Sequence, residues 1–488
     1  MRDMILVLDF DGVNSAAVAR KLRAERIYCK IIPVDTTLET VREQDPSGLI
    51  LVGGTGEGIT DGAPTFDARL LTMGLPLLAL GSAARLLCLA MGGALQGVML
   101  DQSIATVTYA DLPIFKGIAP GERWFARAER LQLPEALTSV AEADGCTVAF
   151  TGVDQPLFGL QFHIERNDPD GMAMLSNFAL TICECTTWWS AEAYVERAVS
   201  ELKRVVGDGA ALCAMSGGID SSVCALLAHQ ALGKQAQCIF VDTGLMRKDE
   251  GDQIEWFYRG QLGLELTRVN ARDRFLRRLT GIKDAAQKRE IVQDEFRNVL
   301  LEEAAKNPQA DVLVQGTNYS DILSSMNLNE QTLRQAAQFR TVIEPVRELF
   351  KDEVRRVGEL LGLPAAIIHR QSFPGAGLAV RIVGEVNPGK LELLRAADAI
   401  LREEIAASGQ EKRLAQYFAV LGELPDAELG NMIVLRAVHL GESGALAARL
   451  PYDLLERVVE RIHQEIPGVR RILYDLTPSE SLVKSEWQ

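Results

Sequence analysis

A short glycine- and serine-rich segment near the middle of the chain carries the clearest chemical signal. It contains Ser216, Gly217, Gly218, Asp220, Ser221 and Ser222. The segment follows an apolar run and opens a helical pattern. Its glycines would therefore let the backbone approach an anion, and the helix start would point amide groups at that anion. Asp220 offers the hard oxygen ligand that Mg²⁺ prefers beside phosphate. The segment predicts a phosphate-binding turn, and a chance serine–glycine turn is the alternative.

The residues around this turn alternate between strand and helix patterns. Residues 211–215 and 236–242 are predicted strands, and residues 222–231 form a predicted helix between them. This order and spacing predict a parallel strand pair joined by a right-handed crossover. The first 185 or so residues also alternate, with hairpins towards their end, which predicts an α/β unit with a mixed sheet. From about residue 369 the pattern changes to glycine-rich loops, a long helix and short strands, which indicates a smaller α+β unit.

Composition limits the class of protein. The 488 residues are 47% hydrophobic and 24% charged, as is usual for a globular protein of about three domains. The net charge of −15 argues against a broad nucleic-acid surface. No apolar run reaches the roughly 18 residues that a membrane helix needs. The eight cysteines are scattered in apolar surroundings, which favours reduced, buried thiols in a cytoplasmic enzyme.

The sequence of residues 216–222, SGGIDSS, resembles the pyrophosphate-binding loop of the N-type ATP pyrophosphatases. Val241 and Asp242 match the segment of that family that holds adenine and ribose, and Gly316 and Thr317 match its next nucleotide-contacting turn. The resemblance implies ATP and Mg²⁺ as cofactors, with Asp220 as the metal ligand.

Three basic residues complete the resemblance. Lys351 lies in a block that places a lysine near the phosphates in this family, and Arg274 and Lys288 match its mobile lid. The implied chemistry begins when an acceptor oxygen attacks the α-phosphate of ATP and pyrophosphate leaves. Ammonia then attacks the adenylated carbon, and AMP leaves. Asp220, Lys351, Arg274 and Lys288 are the catalytic residues that the resemblance implies, since charge neutralisation and positioning dominate such reactions.

Over its whole length the chain is similar to GMP synthetases, and residues 373–386 are close to the signature that opens their C-terminal domain. The resemblance implies a class I glutamine amidotransferase-like domain at residues 1–187. It implies an ATP pyrophosphatase domain at residues 188–368 and a dimerisation domain at residues 369–488. The expected fold is α/β, with a mixed-sheet domain, a parallel-sheet domain and a small α+β domain, assembled as a homodimer.

The amidotransferase-like part departs from its family. Class I members use a Cys-His-Glu triad with the cysteine on a sharp strand-to-helix turn. His163 and Glu165 match the end of the triad, but Gly81 stands where the cysteine belongs. Ser82 comes one residue late, and Cys88 lies two turns further along the predicted helix. The sequence therefore predicts a degenerate glutaminase site, and ammonia or another small nucleophile in place of glutamine.

The acceptor-binding segments also depart from the family. The histidine-rich loop after the Gly316 turn is replaced at residues 326–335, and the C-terminal motif is altered. Asp321, Lys484 and Glu486 are the predicted acceptor-binding residues. The acceptor is therefore expected to be a purine-nucleotide-like or other small molecule, with XMP itself in doubt.

Three functions remain open from the sequence. The first is an adenylating ligase that uses ammonia or another nucleophile on a remodelled acceptor. The second is a genuine GMP synthetase that converts XMP to GMP. The third is a non-catalytic paralogue that binds nucleotide. The retained Asp220 and Lys351 argue against the third function, since a scaffold has no need of them.

Overall fold

The computed structural model describes residues 3–10, 13–53, 66–166, 168, 170–319, 339–371, 373–423, 430–441 and 444–478. The chain divides into two units, Met1–Tyr194 and Val195–Gln488, and each is described by itself. Within the described ranges, no helix combines the length and apolar character needed to cross a membrane.

The first unit is built on a nine-stranded mixed sheet. Its strands are β1 (Ile5–Asp9), β2 (Cys29–Pro33), β3 (Gly48–Val52), β4 (Leu77–Leu80), β5 (Ala94–Tyr109), β6 (Gly121–Gln132), β7 (Leu137–Ala143), β8 (Cys146–Gly152) and β9 (Leu157–Leu160). The sheet order is β2-β1-β3-β4-β9-β8-β7-β5-β6, and the first five strands in this order are parallel. β3 and β4 are entirely buried, as expected for central parallel strands that helices cover on both faces.

Helices of the first unit connect these strands. They are α1 (Val13–Ala24), α2 (Leu38–Gln44), α3 (Ser82–Ala90) and α4 (Gly171–Ser176), which continues as a π-helical stretch (Asn177–Ile182). The sequence predicted the alternation of strands and helices in this unit and its mixed sheet. It missed the long β5–β6 hairpin, because much of β5 is exposed and polar residues interrupt its apolar pattern.

The second unit contains a five-stranded parallel sheet. Its strands are β10 (Ala210–Met215), β11 (Ala236–Asp242), β12 (Leu266–Asn270), β13 (Ala310–Val314) and β14 (Thr341–Ile343). The order is β12-β11-β10-β13-β14. β10 and β11 pair in parallel, which confirms the strand–helix–strand prediction around the glycine turn.

The helices of the remaining chain are longer on average. They are α5 (Ala191–Val206), α6 (Ile219–Leu232), α7 (Glu250–Glu255, extended by a π-helical stretch Trp256–Gln261), α8 (Arg272–Leu279), α9 (Ala285–Ala305), α10 (Lys351–Leu360), α11 (Ala365–Ile368), α12 (Pro388–Ala407) and α13 (Tyr452–Glu465). Short 3-10 turns occupy Ala68–Met73, Pro113–Phe115, Gly233–Gln235, Gly377–Arg381 and Glu411–Arg413.

A small sheet lies at the end of the second unit. It contains β15 (Gln416–Glu423), β16 (Asn431–Gly441), β17 (Gly444–Ala447) and β18 (Val469–Tyr474). β16 is antiparallel to β15 and β17 and parallel to β18. The expected fold class, a mixed sheet, a parallel sheet and a small α+β part, is therefore confirmed.

One hydrophobic core extends through the second unit. It includes Leu212 and Leu313 of the parallel sheet, Val299 of α9, Leu394 of α12 and Leu435 of β16. Residues on both sides of position 368 thus pack together. The domain boundaries at residues 187 and 368 remain predictions.

Candidate active site

The turn between β10 and α6 is held by its own hydroxyl groups. Ser216 Oγ lies 3.1 Å from Ser221 Oγ, and Ser221 Oγ donates to the carbonyl of Gly218 at 3.0 Å. Gly217 has a φ of +77°, a conformation that favours glycine. The turn is therefore preorganised before any ligand arrives, as an anion-binding loop at a helix start requires.

Ser222 does not reach the ligand side of the turn. Its hydroxyl donates to the Gly218 carbonyl at 2.6 Å and contacts the Tyr258 hydroxyl, and the residue is fully buried. These contacts fix the start of α6, and the phosphate contact of Ser222 stays a prediction.

Asp220 and Lys351 form the charged pair of the site. Lys351 Nζ lies 2.5 Å from Asp220 Oδ2, although 131 residues separate the two in sequence. Asp220 Oδ1 is buried and has no hydrogen-bond partner in the described part of the chain. A buried carboxylate oxygen without a partner fits a Mg²⁺ ligand. Among the described residues there is no group of three or more His, Cys, Asp or Glu that could hold a metal ion.

Two cavities meet the turn. The smaller has a volume of about 300 Å³ and is lined by Gly217, Asp220, Val241, Lys351 and Arg370, among others. The larger has a volume of about 820 Å³ and extends from Ser216 and Ser221 along Gln315, Gly316 and helix α9. Ser216 lines both cavities. Together they provide the space that a bound nucleotide needs.

Gly316 packs directly against the turn. A Cβ atom at this position would lie 2.6 Å from the Ser221 backbone nitrogen and 2.8 Å from the Asp220 carbonyl carbon, which is too close for any side chain. Thr317 is buried beside it. Gly316, which was predicted to bind nucleotide, therefore shapes the site through close contact between its backbone and that of the turn.

Asp242 is engaged within the protein. Its Oδ2 accepts hydrogen bonds from Arg268 at 2.6 Å and from Arg272 at 2.9 Å, and its Oδ1 accepts one from the Gly244 amide at 3.0 Å. Its neighbour Val241 lines the smaller cavity. The structure thus places Val241 at the site and gives the Asp242 carboxylate partners from its own chain.

The structure does not bring the side chain of Arg274 or of Lys288 to the turn, and their catalytic roles stay predictions. Arg274 forms ion pairs with Glu295 and Glu302. Lys288 is 1% exposed, and burial lowers the pKa of Lys288 to about 8. Its Nζ donates to three carbonyl groups, those of Ala379, Ile382 and Gly384, at 3.1, 2.7 and 2.6 Å. Lys288 therefore ties α9 to the segment that precedes α12.

Replacing Lys288 by methionine is expected to lower the free energy of unfolding by at least about 3 kcal/mol, because three hydrogen bonds from a charged donor are lost and one such bond contributes roughly 1.5–3 kcal/mol. Urea denaturation of the purified variant measures this loss. The exposed Lys283 offers a matched Lys→Met control that should change stability little. Unchanged stability of the Lys288 variant together with lost ATP turnover would restore the catalytic role.

Arg370 is a site residue that sequence reasoning missed. Its Nη1 donates to the Gly217 carbonyl at 2.8 Å, and its guanidinium pairs with Glu250. It comes from the segment after α11, and its only sequence signal was its position three residues before the Phe373 motif. Asp321, Lys484 and Glu486 lie outside the described residues.

The amidotransferase-like part of the first unit brings Gly81 and the His163–Glu165 pair together. Gly81 connects β4 to α3 with φ +61° and ψ −125°. A Cβ built on Gly81 would lie 2.8 Å from His163 Cε1 and 3.1 Å from His163 Nε2. His163 Nδ1 lies 2.5 Å from Glu165 Oε1, and both side chains are buried. The turn and the His–Glu pair are thus assembled around a position that has no side chain.

Ser82 and Cys88, the two alternative nucleophiles, each pack against a glycine. The Ser82 hydroxyl packs against Gly53. A Cβ atom built on Gly53 would lie only 2.2 Å from the hydroxyl oxygen. The Cys88 thiol packs in the same way against Gly93, and burial raises the pKa of Cys88 to about 11. A thiol with this pKa is almost wholly protonated at neutral pH and is a poor nucleophile.

Arg127 and Glu129 of strand β6 have partners within the first unit. Arg127 Nε donates to Glu129 Oε1 at 3.0 Å, and the Arg127 carbonyl accepts from the buried Arg85 at 2.7 Å. The Gln161 side chain bonds both the amide and the carbonyl of Glu129. These contacts hold residues 127 and 129 within the protein.

The rate of alkylation should differ among the cysteines according to how deeply each thiol is buried. All are free and seven are buried, whereas Cys146 is partly exposed. Iodoacetamide at pH 7.5 is therefore expected to modify Cys146 first and to leave Cys88 intact, because the thiolate is the reacting species. Mass spectrometry of the native protein measures both. Rapid alkylation of Cys88 at this pH would contradict the assignment of Cys88 to the core.

The fold and the two sites define the class of protein: an amidotransferase fold joined in one chain to an ATP pyrophosphatase. Comparison with known families agrees. Residues 6–182 match the class I glutamine amidotransferase model, residues 192–411 match the NAD synthase model, and residues 403–483 match the model of the GMP synthase C-terminal domain.

Full-length relatives identify the family. The glutamine-hydrolyzing GMP synthase of Clostridium acetobutylicum is 40% identical over 510 residues, with 100% of each chain covered. The corresponding proteins of Clostridium tetani and Clostridium novyi are 38% and 39% identical over 510 residues, with 100% of this chain and 100% and 99% of theirs covered. The chain belongs to the GMP synthase family, and it is an ATP-dependent carbon–nitrogen ligase of that type.

Proposed function

We propose that the chain uses ATP to adenylate a carbonyl oxygen of a purine-nucleotide-like or otherwise remodelled acceptor and then replaces that oxygen with ammonia or another small nucleophile. The acceptor oxygen attacks the α-phosphorus of ATP, and the bond to the oxygen that bridges to the β-phosphorus breaks, which releases pyrophosphate. The nucleophile then attacks the adenylated carbon, and AMP leaves with the former carbonyl oxygen. The observation that carries the proposal is the Asp220–Lys351 pair at the preorganised turn.

The residues of the turn would bind and neutralise the phosphates. The amides at the start of α6 and the Ser216 hydroxyl would hold the leaving pyrophosphate. Lys351 would balance the negative charge that accumulates on it. Mg²⁺, when bound, neutralises phosphate charge, and Asp220 Oδ1 is the oxygen that would hold it. Arg370 would act as a positioning residue through the Gly217 carbonyl.

We further propose that the glutaminase half is inactive. Gly81 has no nucleophile to attack an amide, and the nearby Ser82 and Cys88 pack elsewhere. Free ammonia, or a separate glutaminase that delivers it, would then supply the nitrogen. Sulfur is a less favoured nucleophile, because the turn carries no Cys-x-x-Cys pair.

The second candidate function is a genuine GMP synthetase. The relatives are glutamine-hydrolyzing GMP synthases, which favours XMP as the acceptor, so XMP is the first acceptor to test. The altered segments around residues 326–335 and at the C-terminus favour a different acceptor.

The test is pyrophosphate release from ATP and Mg²⁺ in the presence of ammonium, with and without XMP. Acceptor-dependent release would support the ligase, and GMP formation would identify the second candidate. Release that appears only with a different purine nucleotide would support the remodelled acceptor. Tight ATP binding without turnover for any acceptor would favour the non-catalytic paralogue and overturn the proposal.

We also propose a homodimer formed through the C-terminal part. The match to the GMP synthase C-terminal model supports it. So do large apolar side chains left exposed near the end of the chain, Tyr452 at 76% and Leu476 at 70%. Light scattering at micromolar concentration would distinguish a dimer from a monomer.

A further inference from the structure

A second cavity of the second unit is strongly basic. It has a volume of about 750 Å³ and lies between α7 with its π-helical extension, α11 and α12. Its charged lining is five basic residues against two acidic ones, Glu250 and Asp398. The basic residues are Arg247, Lys248, Arg370, Arg395 and Arg402. In a chain with a net charge of −15, this local reversal of sign calls for an explanation.

Two of these charges already have partners. Arg395 donates to the carbonyl of Met246 at 2.9 Å and also bonds the carbonyl of Gly244. Arg370 pairs with Glu250. Both guanidinium groups therefore have structural roles, and neither requires a ligand.

Arg247 has no hydrogen-bonded partner of this kind, and its guanidinium lies 4.5 Å from the centre of the Phe373 ring. It is nine-tenths buried, and none of its three guanidinium nitrogens has a hydrogen-bond partner among the described residues. The nearest carboxylate, that of Asp398, lies 3.7 Å from its Nε, beyond hydrogen-bond distance. The Asp398 Oδ1 atom already accepts from the Ala419 amide at 3.1 Å. Burial, followed by the nearby charge of Arg402, lowers the pKa of Arg247 to about 10, and the group stays charged at neutral pH.

Arg402 faces the same cavity from α12. It is half-buried, and its Nη1 has no hydrogen-bond partner in the described ranges. A buried guanidinium with unused donors is costly unless an anion pairs with it. The donor geometry of arginine matches phosphate oxygens, which it binds with two parallel hydrogen bonds.

We propose that this cavity is a binding site for a phosphate monoester, with Arg247 and Arg402 as its phosphate ligands. Trp256, which lines the cavity and is 65% exposed, offers an aromatic surface for a ring carried by the same ligand. The site is distinct from the pyrophosphate turn but adjacent to it, because Glu250 and Arg370 line both cavities. The ligand is either the phosphate of the acceptor itself or a separate phosphorylated effector. Binding at this site does not depend on the proposed ligase reaction.

The test is a fluorescence titration of the full chain with inorganic phosphate at constant ionic strength. Trp256 is one of five tryptophans, and Trp256→Phe shows how much of the signal it contributes. Saturable binding is expected in the wild type. Arg402→Met and Arg247→Met should each weaken it by at least about tenfold, since charge-assisted bonds to phosphate are lost. Arg402→Lys should recover part of the affinity.

A variant of the turn separates the two sites. Ser216→Ala should leave phosphate binding at the basic cavity unchanged. No saturable binding, or binding that Ser216→Ala abolishes and Arg402→Met leaves intact, would overturn the proposal. Because Arg402 is half-buried, its variants should fold even where Arg247→Met does not.

A second titration distinguishes the two sources of phosphate. XMP serves as the probe, in competition with inorganic phosphate. Mutual exclusion that disappears in Arg402→Met would mean that the site holds the phosphate of a nucleotide acceptor. Simultaneous binding of both would mean a separate phosphorylated effector. Both results support a phosphate site at Arg402.

Discussion

Replacement of Asp220 by asparagine is expected to slow pyrophosphate release from ATP by at least about a hundredfold, a loss typical when one preorganised electrostatic group is removed from a site. Asparagine keeps the shape of the side chain but removes its charge. The change therefore weakens the contact with Lys351, and it removes the negative charge with which the buried carboxylate oxygen would hold Mg²⁺. Initial rates of pyrophosphate release at saturating ATP and acceptor measure the effect.

The control is Asp208→Asn, an exposed aspartate of the same unit, which should keep the wild-type rate. Lys351→Met should reproduce the loss from the other side of the ion pair. Both site variants should keep a near-normal melting temperature, because ion pairs that remain partly exposed contribute little to stability. Full activity of Asp220→Asn would remove the turn from the mechanism.

The largest expected effect concerns the nitrogen source. With ammonium the protein should form its aminated product, whereas with glutamine alone the rate should fall by at least about 10⁴-fold, because loss of the nucleophile removes most of the catalysis by a triad. Glutamate release from glutamine, measured directly, should match the uncatalysed background. Glutamine-dependent amination by the ammonia-free wild type would contradict the inactive glutaminase.

Gly81→Cys is the sharpest companion variant. It places a thiol beside His163 Nε2, where a Cβ would lie at 3.1 Å. Because φ is +61° and His163 must shift, the variant should lose about 1–3 kcal/mol of stability. Its new thiol should react with iodoacetamide at pH 7.5, under conditions in which the thiol of Cys88 does not react. Ser82→Cys is the matched control, and its thiol should react no faster than an ordinary one.

The pyrophosphate turn could be predicted from sequence because its chemistry is local. The hydrogen bonds that shape it join residues that are two to five positions apart, such as Ser216 and Ser221. The strand before it and the helix after it were recognisable from apolar patterning. Ser222 is the exception, since its inward direction depends on Tyr258, which lies 36 residues away.

The roles of the long basic side chains could not be predicted in the same way. Lys288 and Lys351 looked alike in sequence, yet one holds three backbone carbonyls and the other holds Asp220. Each lysine reaches a partner 91 to 131 residues away. A resemblance in spacing cannot decide between such partners, because the direction of a long side chain depends on what packs around it.

The sequence by itself determined which chemical groups this protein possesses: a serine–glycine turn with Asp220, a His–Glu pair, and no thiol at position 81. These follow from residue type, and no arrangement of the backbone can supply an absent side chain. Only the tertiary structure decided which charges meet. In the folded chain Lys351 pairs with Asp220, and Lys288 is buried at a distance from the turn. Arg247 is buried without a hydrogen-bond partner among the described residues. The physical reason is that electrostatic environment depends on burial and distance, and both are set by packing between segments far apart in the chain.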